Sequence, residues 1–526
     1  MADFDVIFVG AGHNSLVCAG YLAKAGFRVG VMERRPVVGG AVVTQEVIPG
    51  YQFDLGGSAH ILINHTPIVR DLSLEEFGLS YIDLDPLFFA PFPDGERIYV
   101  WKDIERTCES IAGVSTEDAE SYFKFVTEWR PMAEAMVESF MQVPTPFNVV
   151  KSLVFHSKVH KDLLRRLPAI LSSYGRLLRK TFVSPRVQAV IGWMAAQSGP
   201  PPTERISAPF ALWHPMYHHS GVKRPRGGSG MLTQALARMI ASHGGTFATS
   251  TAVDQIIVES GRAVGVRTVD GESYSAKRAV VSGAHIHTTL QLLEGQIGST
   301  RAASARRAKV GNGFGMMVRF AVSELPDYSS TGQAEFEDHG PEHRALQFIC
   351  PDLEYLERAY VDFTAGRPST DPALIAMTFS AVDRTLAPPG KHVLFLWGQY
   401  FPYELATGES WDDIGDRVAD RMLAKLAEYA PNVASSVVGR LVQTPVWLER
   451  ELGMLRGNVM HLEMSVNQMF MLRPSLRMSN YRGPAKGLYL TGASMHPGGG
   501  IMGAAGRNAA AVLLHDLDCG PRFMGW

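Results

Sequence analysis

The chain has 526 residues, and its 50 Lys and Arg against 52 Asp and Glu give a formal net charge of -2. This length predicts about two to four domain-sized units, and the balanced charge excludes an overall polyanion-binding surface, so no nucleic-acid partner is expected. The four cysteines, Cys18, Cys108, Cys350 and Cys519, are widely spaced. Their spacing argues against a redox disulfide or a zinc site and favours a reducing compartment.

The first predicted elements are a strand, a glycine turn and a helix. Asp5 to Val9 is a short apolar run of the kind found in a buried parallel strand, and a helical pattern runs from Leu16 to Gly26. Between them, Gly10, Gly12 and Ser15 have the spacing of a dinucleotide-binding fingerprint. Gly10 permits the tight turn, Gly12 permits close approach of a pyrophosphate, and Ser15 is small enough for the helix to pack on the strand.

The elements that follow favour FAD over NAD. A second predicted strand ends at Glu33, about 20 residues past the glycines, where a carboxylate accepts hydrogen bonds from a ribose. Glycine pairs follow at 39–40 and 56–57, and a glycine-dense loop at 498–506 follows a short predicted strand and precedes a helix. Such a loop presents free N–H groups and the positive end of the helix dipole, which suits a flavin ring that gains negative charge on reduction. A two-part cofactor held by both ends of the chain fits this pattern.

The middle of the chain is predicted to return once to the cofactor domain. A predicted helix begins within 226–236, and strands are predicted over 252–258, 263–269 and 279–282. The predicted fold is α/β, with a discontinuous Rossmann-type FAD-binding domain, a mixed α+β substrate domain and a helical segment that faces a membrane. The predicted units are residues 1–90, 226–300 and 455–526 for the FAD-binding domain, 91–225 for the helical substrate or lid segment, and 301–454 for the substrate domain.

The helical segment carries an unusual charge pattern between residues 147 and 186. Its basic residues alternate with a leucine-rich stripe at helical spacing, and Asp162 is its one acidic residue. Basic amphipathic helices bind anionic membrane surfaces, whereas Pro168 argues against one long interfacial helix. The start of the first strand near Met1 leaves no room for a signal peptide, and no apolar run has transmembrane length. We therefore expect a cytoplasmic protein, with peripheral membrane contact through 147–186 or, alternatively, a solvated basic face.

Four motifs resemble the phytoene desaturase and carotenoid ketolase type of flavoprotein. They are VGAGHNSLVCAGYLAKAG, ERRPVVGGA, RGGSGMLTQAL and LYLTGASMHPGGGIMGAAGRNAA, with weaker similarity at 455–461. More closely, the chain resembles the branch called pyridine nucleotide-disulfide oxidoreductase domain-containing protein 2. A disulfide oxidoreductase needs paired cysteines, and this chain has none at close spacing.

The resemblance implies non-covalent FAD. It puts the diphosphate near Gly10, Gly12 and Ser15, and the adenosine ribose on Glu33 with Arg34 beside it. It puts Gly40, Ala41, Gly57 and Ser58 along the ribityl and pyrophosphate region, the Val253 backbone at the adenine, and Gly492, Ala493, Ile501 and Met502 near the ribityl chain and ring. Relatives often have an acidic residue where Ala493 stands, so the ribityl contact here must come from the backbone or from elsewhere.

The flavin itself accepts hydride, so the protein positions the substrate and excludes water. Desaturation also requires a proton acceptor, and the candidates are His496 and His60, although a histidine among glycines and prolines also serves as a backbone hydrogen-bond partner. The cluster of His214, His218 and His219 lacks carboxylate partners at ligand spacing, so no metal site is predicted.

Three functions are compatible with these residues. The first is an FAD-dependent oxidoreductase of the dehydrogenase or desaturase type, whose substrate is a long, apolar, isoprenoid- or carotenoid-like small molecule taken from a membrane surface. The second is an FAD-dependent amine oxidase. The third is a flavin-stabilised regulatory or interaction protein with little turnover. The sequence leaves the electron acceptor and the oligomeric state open.

Overall fold

The computed structural model describes residues 4–148, 151, 163–328 and 339–518. Their strands form two seven-stranded sheets and two strand pairs. Within these ranges Cys18, Cys108 and Cys350 are free thiols, and Cys519 lies outside the described residues.

The first sheet is the predicted cofactor sheet. Its strands are β1 (Phe4–Val9), β2 (Val29–Met32), β9 (Thr246–Ala248), β10 (Val253–Glu259), β11 (Arg262–Thr268), β12 (Ser273–Ser282) and β18 (Leu488–Leu490). Their order is β10-β11-β12-β1-β2-β9, and β18 also pairs with β12. Strand β1 is parallel to β2 and β12, and β12 is parallel to β18. The strands come from three separate stretches of the chain, so the predicted discontinuous α/β fold is confirmed.

The second sheet has both faces buried. Its order is β17-β13-β16-β15-β14-β6-β7. These strands are β6 (Phe88–Pro91), β7 (Arg97–Val100), β13 (Gly313–Val322), β14 (Leu346–Ile349), β15 (Leu374–Met377), β16 (His392–Pro402) and β17 (Val437–Gln443). Successive side chains of β13 point to opposite faces of the sheet. Met316 and Val318 therefore pack in one hydrophobic core and Met317 in another. The predicted boundary at residues 90–91 falls inside β6, so this sheet begins in the amino-terminal part of the chain.

The remaining strands form two antiparallel pairs, β3 (Thr44–Ile48) with β4 (Tyr51–Asp54), and β5 (Tyr81–Leu84) with β8 (Val222–Pro225). The α-helices are His13–Lys24, Ile68–Asp71, Ile104–Ala112, Thr116–Phe140, Leu163–Ile170, Tyr174–Thr181, Pro185–Ala196, Ala208–Leu212, Pro215–Ser220, Met231–Ser242, Ile286–Gln291, Ser299–Arg306, Leu353–Thr364, Trp411–Ala427, Val433–Ser436, Pro445–Leu452 and Ala504–Asp516. Short 3-10 helices are Leu62–His65, Pro341–Arg344, Phe379–Ala381, Arg384–Leu386, Leu455–Gly457, Val466–Gln468 and Phe470–Leu472.

The basic segment 147–186 is only partly described, since residues 149, 150 and 152–162 lie outside the described ranges. Its described part forms separate short helices rather than one long one, with a break at residues 171–173. No helix within the described ranges is long and apolar enough to cross a membrane.

A buried ion pair joins the two strand pairs to the cofactor domain. Arg224 on β8 donates to Asp54 on β4 at 2.6 Å, and both side chains are almost fully buried. Asp54 also accepts from the Thr44 hydroxyl and the Ser229 N–H, while Arg224 donates to the Ser58 carbonyl. Burial alone would raise the pKa of Asp54, but Arg224 and these hydrogen bonds hold it below its ordinary value.

We expect Arg224→Met to lower the free energy of unfolding by about 3–5 kcal/mol, because it leaves a buried carboxylate unpaired. Urea unfolding of the FAD-saturated protein measures the change. The double variant Asp54→Asn with Arg224→Met should recover part of the loss, since it removes the unpaired carboxylate. Arg267→Met is the matched control, because it breaks an exposed ion pair with Asp254 and should change stability far less. Equal losses in Arg224→Met and Arg267→Met would contradict this account.

Candidate functional site

The turn after β1 has open space at Gly12, where the fingerprint predicts the close approach of a pyrophosphate. Gly10 has a φ of 88° and leads into the helix His13–Lys24, whose N-cap is Gly12. A Cβ added at Gly12 would have no atom within 4 Å. The Ser15 hydroxyl, in the first turn of this helix, is buried and has no hydrogen-bond partner in the part of the chain that the structure describes. Free helix N–H groups and an open glycine together fit a bound diphosphate.

Glu33 holds this turn in place. One carboxylate oxygen accepts from the Ala11 N–H at 2.8 Å, and the other accepts from the Arg35 N–H at 2.9 Å. Each carboxylate oxygen can accept more than one hydrogen bond. Glu33 therefore fixes the turn and keeps acceptor capacity for the hydroxyls of a ribose.

The glycine pairs bring distant parts of the chain into contact. A Cβ at Gly40 would lie 3.1 Å from the Gly12 Cα, and a Cβ at Gly57 would lie 2.6 Å from the Ile501 Cδ1. A side chain at either position would thus strike the wall of the site. The glycine pairs let the amino-terminal loops lie directly against the carboxyl-terminal loop that precedes the helix Ala504–Asp516.

One cavity of about 810 Å³ connects these loops to the second sheet. Its volume lies within the range of about 300–1,000 Å³ that is typical of ligand and cofactor sites. The predicted cofactor residues that line it are Gly10, Gly12, Ser15, Glu33, Arg34, Gly40, Ala41, Gly57, Ser58, Val253, Gly492, Ala493, Ile501 and Met502. The structure brings all of them to one continuous surface, while their individual contacts with FAD stay predictions.

Charge is confined to one end of this cavity. Among its described lining residues, the Asp, Glu, Lys and Arg side chains are Glu33, Arg34 and Arg35. The far part, which we call the apolar chamber, includes Met132, Met136, Met194, Phe210, Trp213, Tyr217, Met317, Met377, Phe395, Met464 and Phe470. Methionine adapts its shape to irregular apolar ligands. The arrangement suits a charged dinucleotide at one end and an apolar molecule at the other.

The two predicted acid–base histidines lie behind the cavity wall. His60 is fully buried, and its ring nitrogens are bonded to the Tyr81 and Ser229 hydroxyls at 3.0 and 2.9 Å. His496 donates from Nε2 to the Ser139 carbonyl at 3.1 Å, and its Nδ1 has no partner among the described residues. Burial lowers the pKa of His60 to about 3 and that of His496 to about 4. Neither is among the residues that line the cavity. Their catalytic role therefore stays a prediction that no contact with the cavity supports.

Three other histidines do line the cavity: His13, His285 and His461. His285 donates from Nε2 to the His461 carbonyl at 2.9 Å, and the two rings stack with centroids 5.4 Å apart. Burial lowers the pKa of His13 and of His285 to about 4, so both are neutral near pH 7. Sequence reasoning did not select them, although His13 directly follows Gly12 and His461 closes the weaker motif at 455–461.

Arg473 holds the carboxyl-terminal loop through hydrogen bonds to backbone carbonyls. It is fully buried and donates to the carbonyls of Ala493, Met460, Glu463 and Gln468. Within the described residues it forms no ion pair with a carboxylate, and burial lowers its pKa to about 9. A positive charge therefore lies directly behind Ala493, the position at which the sequence lacks the expected acidic residue.

Comparison with known proteins agrees with this geometry. A sequence model described as flavin containing amine oxidoreductase matches residues 16–514. Pyridine nucleotide-disulfide oxidoreductase domain-containing protein 2 of Mus musculus is 32% identical over 98% of this chain and 94% of its own length. A limonene dehydrogenase polypeptide of Castellaniella defragrans is 28% identical over 98% of this chain and 95% of its own length. A neurosporene-forming phytoene desaturase of Rhodobacter capsulatus is 25% identical over 95% of this chain and 91% of its own length.

These relatives confirm the predicted resemblance to the phytoene desaturase type of flavoprotein. Among solved structures, a double mutant of putrescine oxidase superposes with a TM-score of 0.64 at 14% identity, covering 98% of this chain and 99% of that chain. At this identity the similarity shows the fold alone.

We expect Gly12→Val to abolish FAD retention without unfolding the protein. A Cβ at Gly12 meets no atom of the described residues within 4 Å, and the φ of -64° is allowed for valine, so we expect the added bulk to enter the cavity that Gly12 lines. The ratio of flavin to protein absorbance after desalting measures retention, and thermal unfolding of the apoprotein checks the fold. Ser15→Gly is the control, and it should retain FAD because the helix needs only a small residue there. Retention of FAD by Gly12→Val would refute the placement of the diphosphate.

Proposed function

The chain belongs to the family of flavin containing amine oxidoreductases, and we propose that its substrate is a long, apolar, isoprenoid-like molecule. The protein is an FAD-dependent oxidoreductase, and bound FAD supplies the hydride acceptor. This chain therefore binds and orients the substrate and excludes water from it.

The observation that carries this proposal is the confinement of charge in the cavity. The charged lining residues Glu33, Arg34 and Arg35 all belong to the dinucleotide end. The apolar chamber presents thioether, aromatic and aliphatic groups. Each Å² of apolar substrate surface buried against them contributes about 25 cal/mol to the binding free energy. Its walls exclude water from the reacting carbon atoms, so a released proton must pass to a protein group or to a bound water molecule.

The alternative is an amine oxidase, which the family description favours. A protonated amine buried in the chamber would need an acceptor, because an unpaired buried charge is costly. The described lining of the apolar chamber offers no carboxylate for this purpose. We therefore place the apolar substrate first.

We further propose that the substrate enters from a membrane surface. Leu167, Ile206 and Val466 line the cavity and are 39%, 37% and 49% exposed, and Leu171 nearby is 50% exposed. We call these four residues the apolar rim. An exposed apolar rim around an apolar chamber lets a molecule dissolved in lipid enter the chamber without crossing water.

The charge around the rim is smaller than the sequence suggests. Arg166, Arg179 and Arg186 form ion pairs with acidic residues of other elements. Arg176 and Lys180 are exposed and form no ion pair within the described residues. We therefore expect apolar contact to contribute more to membrane binding than charge does.

The substrate proposal predicts which compounds reduce the bound FAD. Under anaerobic conditions, terpenoid hydrocarbons and alcohols should bleach the flavin absorbance, whereas putrescine and cyclohexylamine should not. Dithionite serves as the positive control for reducible flavin. Bleaching by amines, with no response to any terpenoid, would replace this proposal by the amine oxidase.

The membrane proposal predicts sedimentation with lipid vesicles. The double variant Leu167→Gln with Leu171→Gln should weaken binding by roughly tenfold or more, since burial of one leucine contributes about 1.5–3 kcal/mol. Vesicles of phosphatidylcholine alone, and of equal parts phosphatidylcholine and phosphatidylglycerol, separate the apolar from the charge contribution. The control is Val361→Gln with Val438→Gln, which changes exposed valines outside the rim. Equal binding by both double variants would count against the rim.

A further inference from the structure

Two nearly buried side chains of the apolar chamber carry hydrogen-bond donors that find no acceptor among the described residues. Tyr217 and Trp213 line it and are only 4% and 8% exposed. No described residue accepts a hydrogen bond from the Tyr217 hydroxyl or the Trp213 indole N–H. In contrast, the buried hydroxyls of Tyr174 and Tyr400 both donate to the Pro200 carbonyl. Both side chains line the cavity, so a ligand that displaces water from it must either accept from these donors or leave them unpaired.

The two side chains are held on the same wall by the backbone. Trp213 and His214 have helical φ and ψ angles and lead directly into the helix Pro215–Ser220. Residues four apart in a helical backbone lie on the same face, and both side chains line the cavity. The Tyr217 ring packs edge-on against Phe88 with centroids 4.9 Å apart, and Trp213 stacks on Phe140 at 5.8 Å. Both donors are therefore positioned by packing before any ligand arrives.

The chemistry of the two groups defines the atom they would bind. Burial raises the pKa of Tyr217, so its hydroxyl stays protonated and available as a donor. The indole N–H can only donate. An ammonium group has no lone pair and cannot accept from either of them. A hydrocarbon leaves both unpaired, whereas a carbonyl or hydroxyl oxygen accepts from both.

We propose that Tyr217 and Trp213 form an oxygen subsite, and that the natural substrate is an oxygenated apolar molecule, such as an isoprenoid alcohol or carbonyl compound. The inference rests on the proposed function, because it refines the class of apolar substrate. Gln197 and Ser198 also bring polar side chains to the cavity, but both are partly exposed and can be hydrated. Tyr217 and Trp213 are the donors that a bound substrate would cut off from water.

The test compares three probes with one carbon skeleton: farnesol, farnesene and farnesylamine. Binding to the FAD-loaded protein is followed through the perturbation of the flavin spectrum and by calorimetry, neither of which needs turnover. We expect the wild type to bind farnesol at least about tenfold tighter than farnesene or farnesylamine, because a site built to donate to oxygen discriminates strongly against analogues that lack it.

Tyr217→Phe removes only the hydroxyl. It should weaken the binding of farnesol about tenfold, leave the binding of farnesene unchanged, and not lower the melting temperature, since the hydroxyl has no protein partner to lose. Tyr489→Phe is the matched control, because its hydroxyl donates to Asp516 and the residue does not line the cavity. Trp213→Phe should weaken farnesol binding in the same direction.

Equal binding of farnesol and farnesene to the wild type, unchanged in Tyr217→Phe, would overturn the oxygen subsite and leave the apolar-substrate proposal standing. Binding of none of the three probes would overturn both. Preferential binding of farnesylamine would overturn the subsite and favour the amine oxidase.

Discussion

Buried arginine side chains supply the hydrogen bonds that the loops of the cavity wall cannot make for themselves. These loops lie outside regular sheets and helices, yet their backbone carbonyls are buried and need donors. Arg473 donates to four such carbonyls, and Arg319 donates to the Gly56 carbonyl while its guanidinium lies 3.4 Å from the centroid of the Phe395 ring. Arg224 reaches the Ser58 carbonyl from its ion pair with Asp54. Three fixed cations thus hold the loops that the amino- and carboxyl-terminal segments contribute to one site.

This arrangement also sets the electrostatics of the cavity. Burial lowers the pKa of Arg319 and of Arg473 to about 9, so both remain cationic near pH 7. Arg473 has no carboxylate partner within the described residues, and its charge lies behind Ala493. Its field adds to burial in lowering the pKa values of His285, His461 and His496. The neighbourhood of the carboxyl-terminal loop therefore favours negative charge and neutral imidazoles.

The sequence predicted those parts of the site whose signal is local. Gly10, Gly12 and Glu33 lie within one strand-turn-helix-strand unit, where spacing alone fixes their geometry. The acid–base candidates were chosen by proximity to glycine loops, and that criterion cannot tell which way a side chain points. His60 and His496 point into the protein, whereas His285 and His461 reach the cavity through tertiary packing. Strand β6 crosses the predicted division between residues 90 and 91, because the residues of a strand do not reveal which sheet it joins.

The same limit applies to Tyr217 and Trp213, because their residue types do not distinguish packing in a core from a place on a cavity wall. Both are buried and both pack on aromatic neighbours, so composition gives no sign of their unpaired donors. Only the hydrogen-bond pattern separates them from Tyr174 and Tyr400. A wholly apolar chamber would bind any hydrocarbon of suitable size, since apolar contact discriminates weakly between similar shapes. Two positioned donors in such a chamber give it chemical selectivity, because a substrate that leaves them unpaired loses binding free energy that an oxygenated one keeps.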